Sequence, residues 1–242
     1  MTDRIEQNEV LACLPTPEQD ALRDHLQPVS LTTKEEINQV GTPLSHVYFP
    51  ADSAISLMGT HSEGLTVDVA VVGNEGCTCL HFLDGQPLSP CRIVVEIGGT
   101  ALRLSASTLE LLLDRLPRFT QIVRRFNGVL FRHAVLSVGC SQFHSVEQRS
   151  ARWLLAHRHR AATDILPFTH EFLAEQLGVQ RVTITETLAD LQRRGLVTYS
   201  YGKISLTDIR GLERISCECF SLARQAIDEY LADIRRYRDR DR

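Results

Sequence analysis

Between Phe168 and Val197 the chain reads FTHEFLAEQLGVQRVTITETLADLQRRGLV, with Leu173, Ala174, Leu177, Val179, Ile184, Leu188 and Leu191 apolar at helical spacing on both sides of Gly178. This pattern predicts two short helices joined by a tight turn and buried against each other. Thr169 is placed to cap the first helix, with Phe168 before it as an apolar anchor, and Gly178 to end it in the left-handed conformation. Once Ile184, Leu188 and Leu191 face inward, Arg181, Val182, Thr185 and Glu186 face outward from the first turns of the second helix. Gly195 stops that helix, and the runs Val197 to Tyr201 and Ile204 to Leu206 flank a Gly202-Lys203 tip as a β-hairpin.

The same reading extends along the rest of the chain. Residues 1 to about 27 read as helical, over Glu6 to Leu14 and again from Pro17 to Leu26. After Pro28 come short β-rich runs at Val29–Leu31, Glu36–Val40, His46–Phe49, Ala54–Leu57, Thr66–Val72, Arg92–Ile97 and Thr100–Leu104, separated by turn-forming residues. Close spacing of this kind indicates an antiparallel roll, jelly-roll-like in class. Helical periodicity returns over Ser107–Leu116, and from Arg118 to about Cys140 it becomes one long helix. Phe119, Ile122, Val123, Phe126, Val129, Leu130, His133 and Leu136 step along that helix by three and four, as a stripe that would pack on a second copy of itself. Ser145 to His159 forms a further helix, and Gly211 to Arg238 a final one. The expected architecture is α+β in three parts: residues 1–116 as a sensor-like β-roll, 117–143 as a dimerisation helix, and 144–242 as a winged helix-turn-helix with a C-terminal helix.

An outward set of Arg, Val, Thr and Glu at the start of the second helix is what a helix-turn-helix presents to the DNA major groove, and the hairpin that follows supplies a wing. On charge alone the case is weak, since the formal net charge is −4. Between His144 and Lys203, however, eight basic side chains outnumber six acidic ones, a local +2. The seven cysteines, Cys13, Cys77, Cys79, Cys91, Cys140, Cys217 and Cys219, are scattered and odd in number, which suits a reducing cytoplasm. No apolar run approaches the roughly 18 residues of a membrane span, and the start lacks a leader pattern. No nucleophile–base pairing, Gly-rich phosphate loop or metal signature points to an enzyme.

In the order β-roll, long helix, winged helix-turn-helix, the chain resembles the Crp/Fnr family of bacterial transcription regulators. The stretches carrying the likeness are EINQVGTPLSHVYFPADSAISL (36–57), VVGNEGCTCLHFL (71–83) and the segment quoted first. The resemblance implies a homodimer on palindromic double-stranded DNA, a signal sensed by the roll, contact with RNA polymerase, and a small-molecule effector of unspecified identity. In cyclic-nucleotide-binding relatives a Gly-Glu pair holds the ribose, and an Arg before a small residue grips the cyclic phosphate. Here the phosphate-Arg position falls on Ser89, with Arg92 three residues on, and Glu75 precedes a Gly. The phosphate would lose its charge-assisted contact, so cyclic AMP is not expected. Glu75, Ser89 and Arg92 are kept as a candidate pocket for another ligand, against the plainer reading of Arg92 and Arg103 as solvated strand residues.

Near the N-terminus only Cys13 is present, which leaves no four-thiolate iron–sulfur site there. His46, His61, His81 and His133 lie in no ligand motif. Cys77-x-Cys79 and Cys217-x-Cys219 are too tight for a zinc knuckle, so no metal and no cofactor are expected. On a strand Cys77 and Cys79 would share a face, as candidate redox thiols or as small buried hydrophobes. In the recognition helix many family members present Arg-Glu and a further Arg four residues on, where this chain has Arg181, Val182 and then Glu186. Arg181 would reach a guanine edge, Val182 a thymine methyl and Glu186 a cytosine amine, with Thr185 beside them. Thr169, His170, Thr183 and Lys203 match positions that hold phosphates. Two other readings compete: a sensor signalling through protein contacts with a degenerate DNA head, and a cupin-type metalloenzyme, for which His46, His61 and His81 lie far apart.

Overall fold

The computed structural model describes residues 5–60, 66–78, 83, 85–161 and 163–240 of the 242-residue chain. Met1–Met58, Ala70–Arg132 and Gln225–Arg242 form one compact unit, and Gly59–Val69 with His133–Arg224 form a second.

The chain opens with helices α1 (Glu9–Ala12) and α2 (Thr16–Arg23) and continues through strands β1 (Gln27–Leu31), β2 (Glu36–Asn38), β3 (His46–Pro50), β4 (Ala54–Thr60), β5 (Thr66–Val72), β6 (Arg92–Ile97) and β7 (Gly99–Ser105), all in the first unit but for Gly59–Val69 at the end of β4 and the start of β5. Two antiparallel sheets result, in the orders β1-β7-β3 and β2-β6-β4-β5. The expected runs at Thr66–Val72 and Arg92–Ile97 are strands over those same residues. Alternate side chains point inward, among them Val47, Phe49, Ile55, Ile93, Val95, Leu102 and Leu104, and join one hydrophobic core. Buried Asn8 secures the N-terminal segment to this roll. Its Nδ2 donates to the carbonyls of Pro50 and Gly76 at 2.9 Å each, while its Oδ1 caps α1. The α+β architecture read from the sequence is the one observed.

Helix α3 (Ala106–Leu112) and one 3-10 turn (Leu113–Arg115) lead into the 27-residue helix α4 (Pro117–Phe143). Pro117 needs no N–H at that position, and the next two amides are capped from a distance. The buried carboxylate of Glu18 on α2 accepts from the backbone amides of Arg118 at 2.8 Å and Phe119 at 2.9 Å. A carboxylate at a helix N-terminus satisfies orphan donors and opposes the positive end of the dipole.

The stripe assigned above to a dimer contact is corrected by the packing. Phe119, Ile122, Val123, Phe126, Val129 and Leu130 are buried in the core of their own chain, where Phe119 meets Phe49 and Phe126 meets Tyr230 at ring-centroid distances of 6.1 and 5.5 Å. His133 is buried too, with Nε2 3.3 Å from the Ala223 carbonyl. The largest apolar side chains gain most by filling the adjoining roll. A second, smaller stripe is left outside: Phe131 (72% exposed), Val135, Val138 and Phe143 (84% exposed).

The second unit contains α5 (Val146–Ala161), β8 (Ile165–Leu166), α6 (His170–Leu177), α7 (Arg181–Arg193), β9 (Val197–Ser200), β10 (Lys203–Leu206) and α8 (Ile209–Ile215), followed by α9 (Cys219–Arg240), which runs on into the first unit. The three strands pair in the order β8-β10-β9. The final helix expected from Gly211 to Arg238 is in fact two. Asp208 caps α8 by accepting from the Gly211 amide at 2.8 Å, Ser216 turns extended at φ −67° and ψ 156°, and a new helix starts at Cys219. Apolar residues continue through the break, so periodicity alone does not mark it. No described helix is long and apolar enough to cross a membrane.

Candidate nucleic-acid interface

Helix α6 is fixed at both ends. Thr169 Oγ1 accepts from the Phe172 amide at 3.2 Å, and Phe168 stacks on Phe172 with centroids 5.1 Å apart and planes 11° from parallel. Trp153 of α5 closes this cluster edge-on to Phe168 at 4.8 Å. At the other end Gly178 is left-handed (φ 61°, ψ 42°), so the Val179 amide can turn back to the Ala174 carbonyl at 3.0 Å. The Arg149 guanidinium donates to the Leu177 carbonyl, placing a cation at the negative end of the helix.

Helix α7 leaves this turn with Ile184, Leu188 and Leu191 at most 2% exposed. Arg181, Val182, Thr185 and Glu186 are all exposed, as their spacing predicts. Val182 is 56% exposed, an apolar side chain held in water beside an arginine. Arg181 Nε lies 3.6 Å from Glu171 Oε2, with both side chains mostly exposed. Such a pair contributes about 0–1 kcal/mol, so another acceptor can displace the carboxylate.

The hydroxyl of Thr185 is engaged within the unit. It donates to the Arg181 carbonyl at 3.1 Å and lies 3.1 Å from His170 Nδ1. His170 differs from the outward phosphate contact expected of it. Its ring sits 4.1 Å from that of Tyr199, and its Nε2 is buried without a hydrogen-bond partner. Burial first, and the Arg181 charge second, hold the His170 pKa below its ordinary value, which favours the neutral imidazole in its place between α6, α7 and the wing. Of the other residues expected at phosphates, Thr169 and Thr183 are half-buried and Lys203 is exposed at the start of β10.

The wing carries a feature the sequence reading missed. Lys203 pairs with Ser200, so the tip is the two residues Tyr201 and Gly202, with φ of 49° and 74°. Two positive φ values define the turn that suits a two-residue hairpin, and Asn-Gly is its favoured sequence. Tyr201 is there instead, 99% exposed, in a conformation costing a non-glycine residue about 1 kcal/mol. The signal lay in the Tyr-Gly pair between two strand runs. The remaining arginines are less available than their number suggests: Arg194 is paired with Glu147 and Asp190, Arg193 with Asp190, and Arg158 with Asp164.

In the first unit the three candidate pocket residues are tied to different neighbours. Glu75 Oε1 accepts from the Gly73 amide at 3.1 Å, Ser89 Oγ donates to the Cys91 carbonyl at 2.7 Å, and Arg92 pairs with Glu36, whose carboxyl that bond holds below its usual range. Cys77 is buried in the core, while Cys79, His61 and His81 lie outside the described residues. Four residues never linked in the sequence, Cys140, His144, Cys217 and Cys219, are brought together in the second unit.

Residues 148–215 match the family of Crp-like helix-turn-helix domains. Over 62 residues the chain is 37% identical to the transcriptional regulator SdrP of Thermus thermophilus, a match spanning 26% of this chain and 30% of that protein. Among solved structures, a Crp/Fnr-family protein from Eubacterium rectale superposes with a TM-score of 0.70 at 19% identity, covering 87% of this chain and 98% of that one. FixK2 from Bradyrhizobium japonicum gives 0.66 at 18% identity, covering 79% and 98%. At these identities the likeness is one of fold. Residues 148–215 thus match the Crp-like helix-turn-helix domain family, in a chain that shares the fold of a solved Crp/Fnr-family structure.

Proposed function

We propose that the protein is a sequence-specific transcription regulator that binds double-stranded DNA as a homodimer on a two-fold symmetric site. The observation that carries this reading is the first turns of α7, where Arg181, Val182 and Glu186 stand exposed on a helix whose opposite face is fully buried. In the major groove Arg181 would take a guanine edge, Val182 and the Thr185 methyl would meet thymine methyls, and Glu186 would accept from a cytosine amine. Thr169, Thr183 and Lys203 would hold phosphates, with Tyr201 pressed on the adjacent backbone and His170 acting as a brace.

The dimer contact we assign to Phe131, Val135, Val138 and Phe143, which repeat along α4 at spacings of about three to five and are more than half exposed. Residues 1–116 then serve as the sensor-like part, 117–143 as the dimerisation helix and 144–242 as the DNA-binding part. Ser89, with its hydroxyl held by Cys91, offers a cyclic phosphate no guanidinium, which supports an effector other than cyclic AMP. Contact with RNA polymerase, a cytoplasmic setting and an unidentified small-molecule effector complete the proposal.

Selection of binding sites from a random DNA pool, with reduced, ligand-free protein at fixed salt, tests it. A two-fold symmetric site with guanine and cytosine at positions altered by changing Arg181 and Glu186 is the expected result. No enriched site, with DNA affinity that does not fall steeply with salt in a separate titration, would favour the alternative of a sensor signalling through protein contacts with a degenerate DNA head.

A further inference from the structure

We infer that Cys140, His144, Cys217 and Cys219 form a closed tetrahedral site for one divalent ion of the zinc class. Their ligand atoms all lie within 4.8 Å of one another, with Cys140 Sγ to Cys217 Sγ at 3.5 Å and Cys219 Sγ to His144 Nδ1 at 3.7 Å. Zinc–sulfur bonds of about 2.3 Å and zinc–nitrogen bonds of about 2.0 Å at tetrahedral angles require ligand separations of roughly 3.5–3.8 Å, so two edges of the tetrahedron are already set.

Each half of the site has a local cause. Cys140 and His144 are four residues apart at the end of α4, where the His144 amide still donates to the Cys140 carbonyl at 3.2 Å, so both point the same way. Cys217 follows the extended Ser216 in the break between α8 and α9, Cys219 is the first residue of α9, and both are buried. The Cys-x-Cys spacing that is too tight for a zinc knuckle therefore supplies one pair, and the long helix supplies the other. Nothing in a linear reading links ligands so far apart.

Three further observations point to a cation. The cysteines are at most 5% exposed and Leu136 packs against them, as in a structural site closed to solvent. His144 turns Nδ1 to the sulfurs while its Nε2 lies 3.2 Å from the Glu218 carboxylate, the outer partner that orients a ligating histidine. Arg152 has its Nε buried without a hydrogen-bond partner, and its charge acts on these thiols. Three thiolates and one divalent ion leave a single negative charge, which that guanidinium offsets. Ion binding would release the thiol protons to solvent.

The placement suggests the role. His144 and Cys217 bracket the helix-turn-helix domain at 148–215, so the ion would clamp the two ends of that domain together.

The test is titration of reduced, chelator-stripped full-length protein with cobalt(II) and then zinc. Expected are one cobalt per chain with the intense visible bands of a tetrahedral thiolate complex, displacement by zinc, and a higher melting temperature when loaded. Glu218→Gln should weaken binding by about tenfold. Cys219→His should keep a tetrahedral spectrum with a shifted charge-transfer band, which separates ligation from simple misfolding. The inference is overturned by a cooperatively melting protein with no cobalt bands, by stoichiometric binding unaffected in Cys217→Ser, by an iron–sulfide chromophore in place of a mononuclear ion, or by a Cys140–Cys217 disulfide forming as fast in loaded as in stripped protein. None of these readouts depends on DNA binding.

Discussion

The imidazole of His170 lies against the ring of Tyr199, centroids 4.1 Å apart, and its Nδ1 faces the hydroxyl of Thr185. One side chain from the first helix of the motif thereby touches both the recognition helix and the wing. A histidine whose pKa falls on folding contributes stability that is present above its unfolded value of about 6.5 and lost as pH drops through its lower folded value. Thermal unfolding followed from neutral to mildly acid pH should therefore show a steeper fall for the native chain than for His170→Phe, which keeps the ring contact and cannot titrate. Parallel profiles would mean that His170 is not the group being protonated.

Tyr201 sits at the wing tip in a conformation that suits asparagine or glycine better. Tyr201→Asn should raise stability by about 1 kcal/mol, measured by denaturant unfolding, and should lower affinity for a selected DNA site. Unchanged affinity would remove the tip from the DNA contact.

Arg181 and Lys203 are both exposed but have different tasks on the proposed reading. Arg181→Ala should cost about 1–3 kcal/mol and relax preference at one base pair of each half-site. Lys203→Ala should weaken selected and random DNA alike and make the salt dependence shallower by about one phosphate contact. Equal losses of both kinds in both variants would show the division of labour to be wrong.

On the proposed reading the two stripes of α4 separate assembly from folding. Val138, 67% exposed, should tolerate Val138→Glu without loss of thermal stability in the monomer while shifting sedimentation from dimer to monomer. Leu130 is buried, and Leu130→Ala should cost about 2–5 kcal/mol whatever the oligomeric state. A dimer that survives Val138→Glu would place the contact elsewhere.

Much of the fold was legible because its signals are local. The β-rich run Thr66–Val72, the Thr169 cap, Gly178 and the Ile184, Leu188 and Leu191 face each report on a handful of neighbouring residues. What stayed hidden depends on remote partners. Periodicity shows that Phe126 and Val138 are apolar positions on a helix, but not that Phe126 is buried, against partners remote in sequence, while Val138 is exposed. It marks Cys217 and Cys219 as a tight pair, while the long helix completes the cluster with Cys140 and His144. Nor does it reveal that His170 faces Tyr199, since the wing lies almost thirty residues downstream.

The ion pairs of Arg194 with Glu147 and Asp190, and of Arg158 with Asp164, bear on how such a protein would find its site. A guanidinium that keeps its carboxylate on random duplex displaces no counterion there, so on the proposed reading these pairs would temper the sequence-independent pull. Encounters with non-target DNA would then be brief, and the search would proceed by many short visits more than by long one-dimensional sliding. Occupancy of a promoter under those conditions would follow the number of protein copies in the cell.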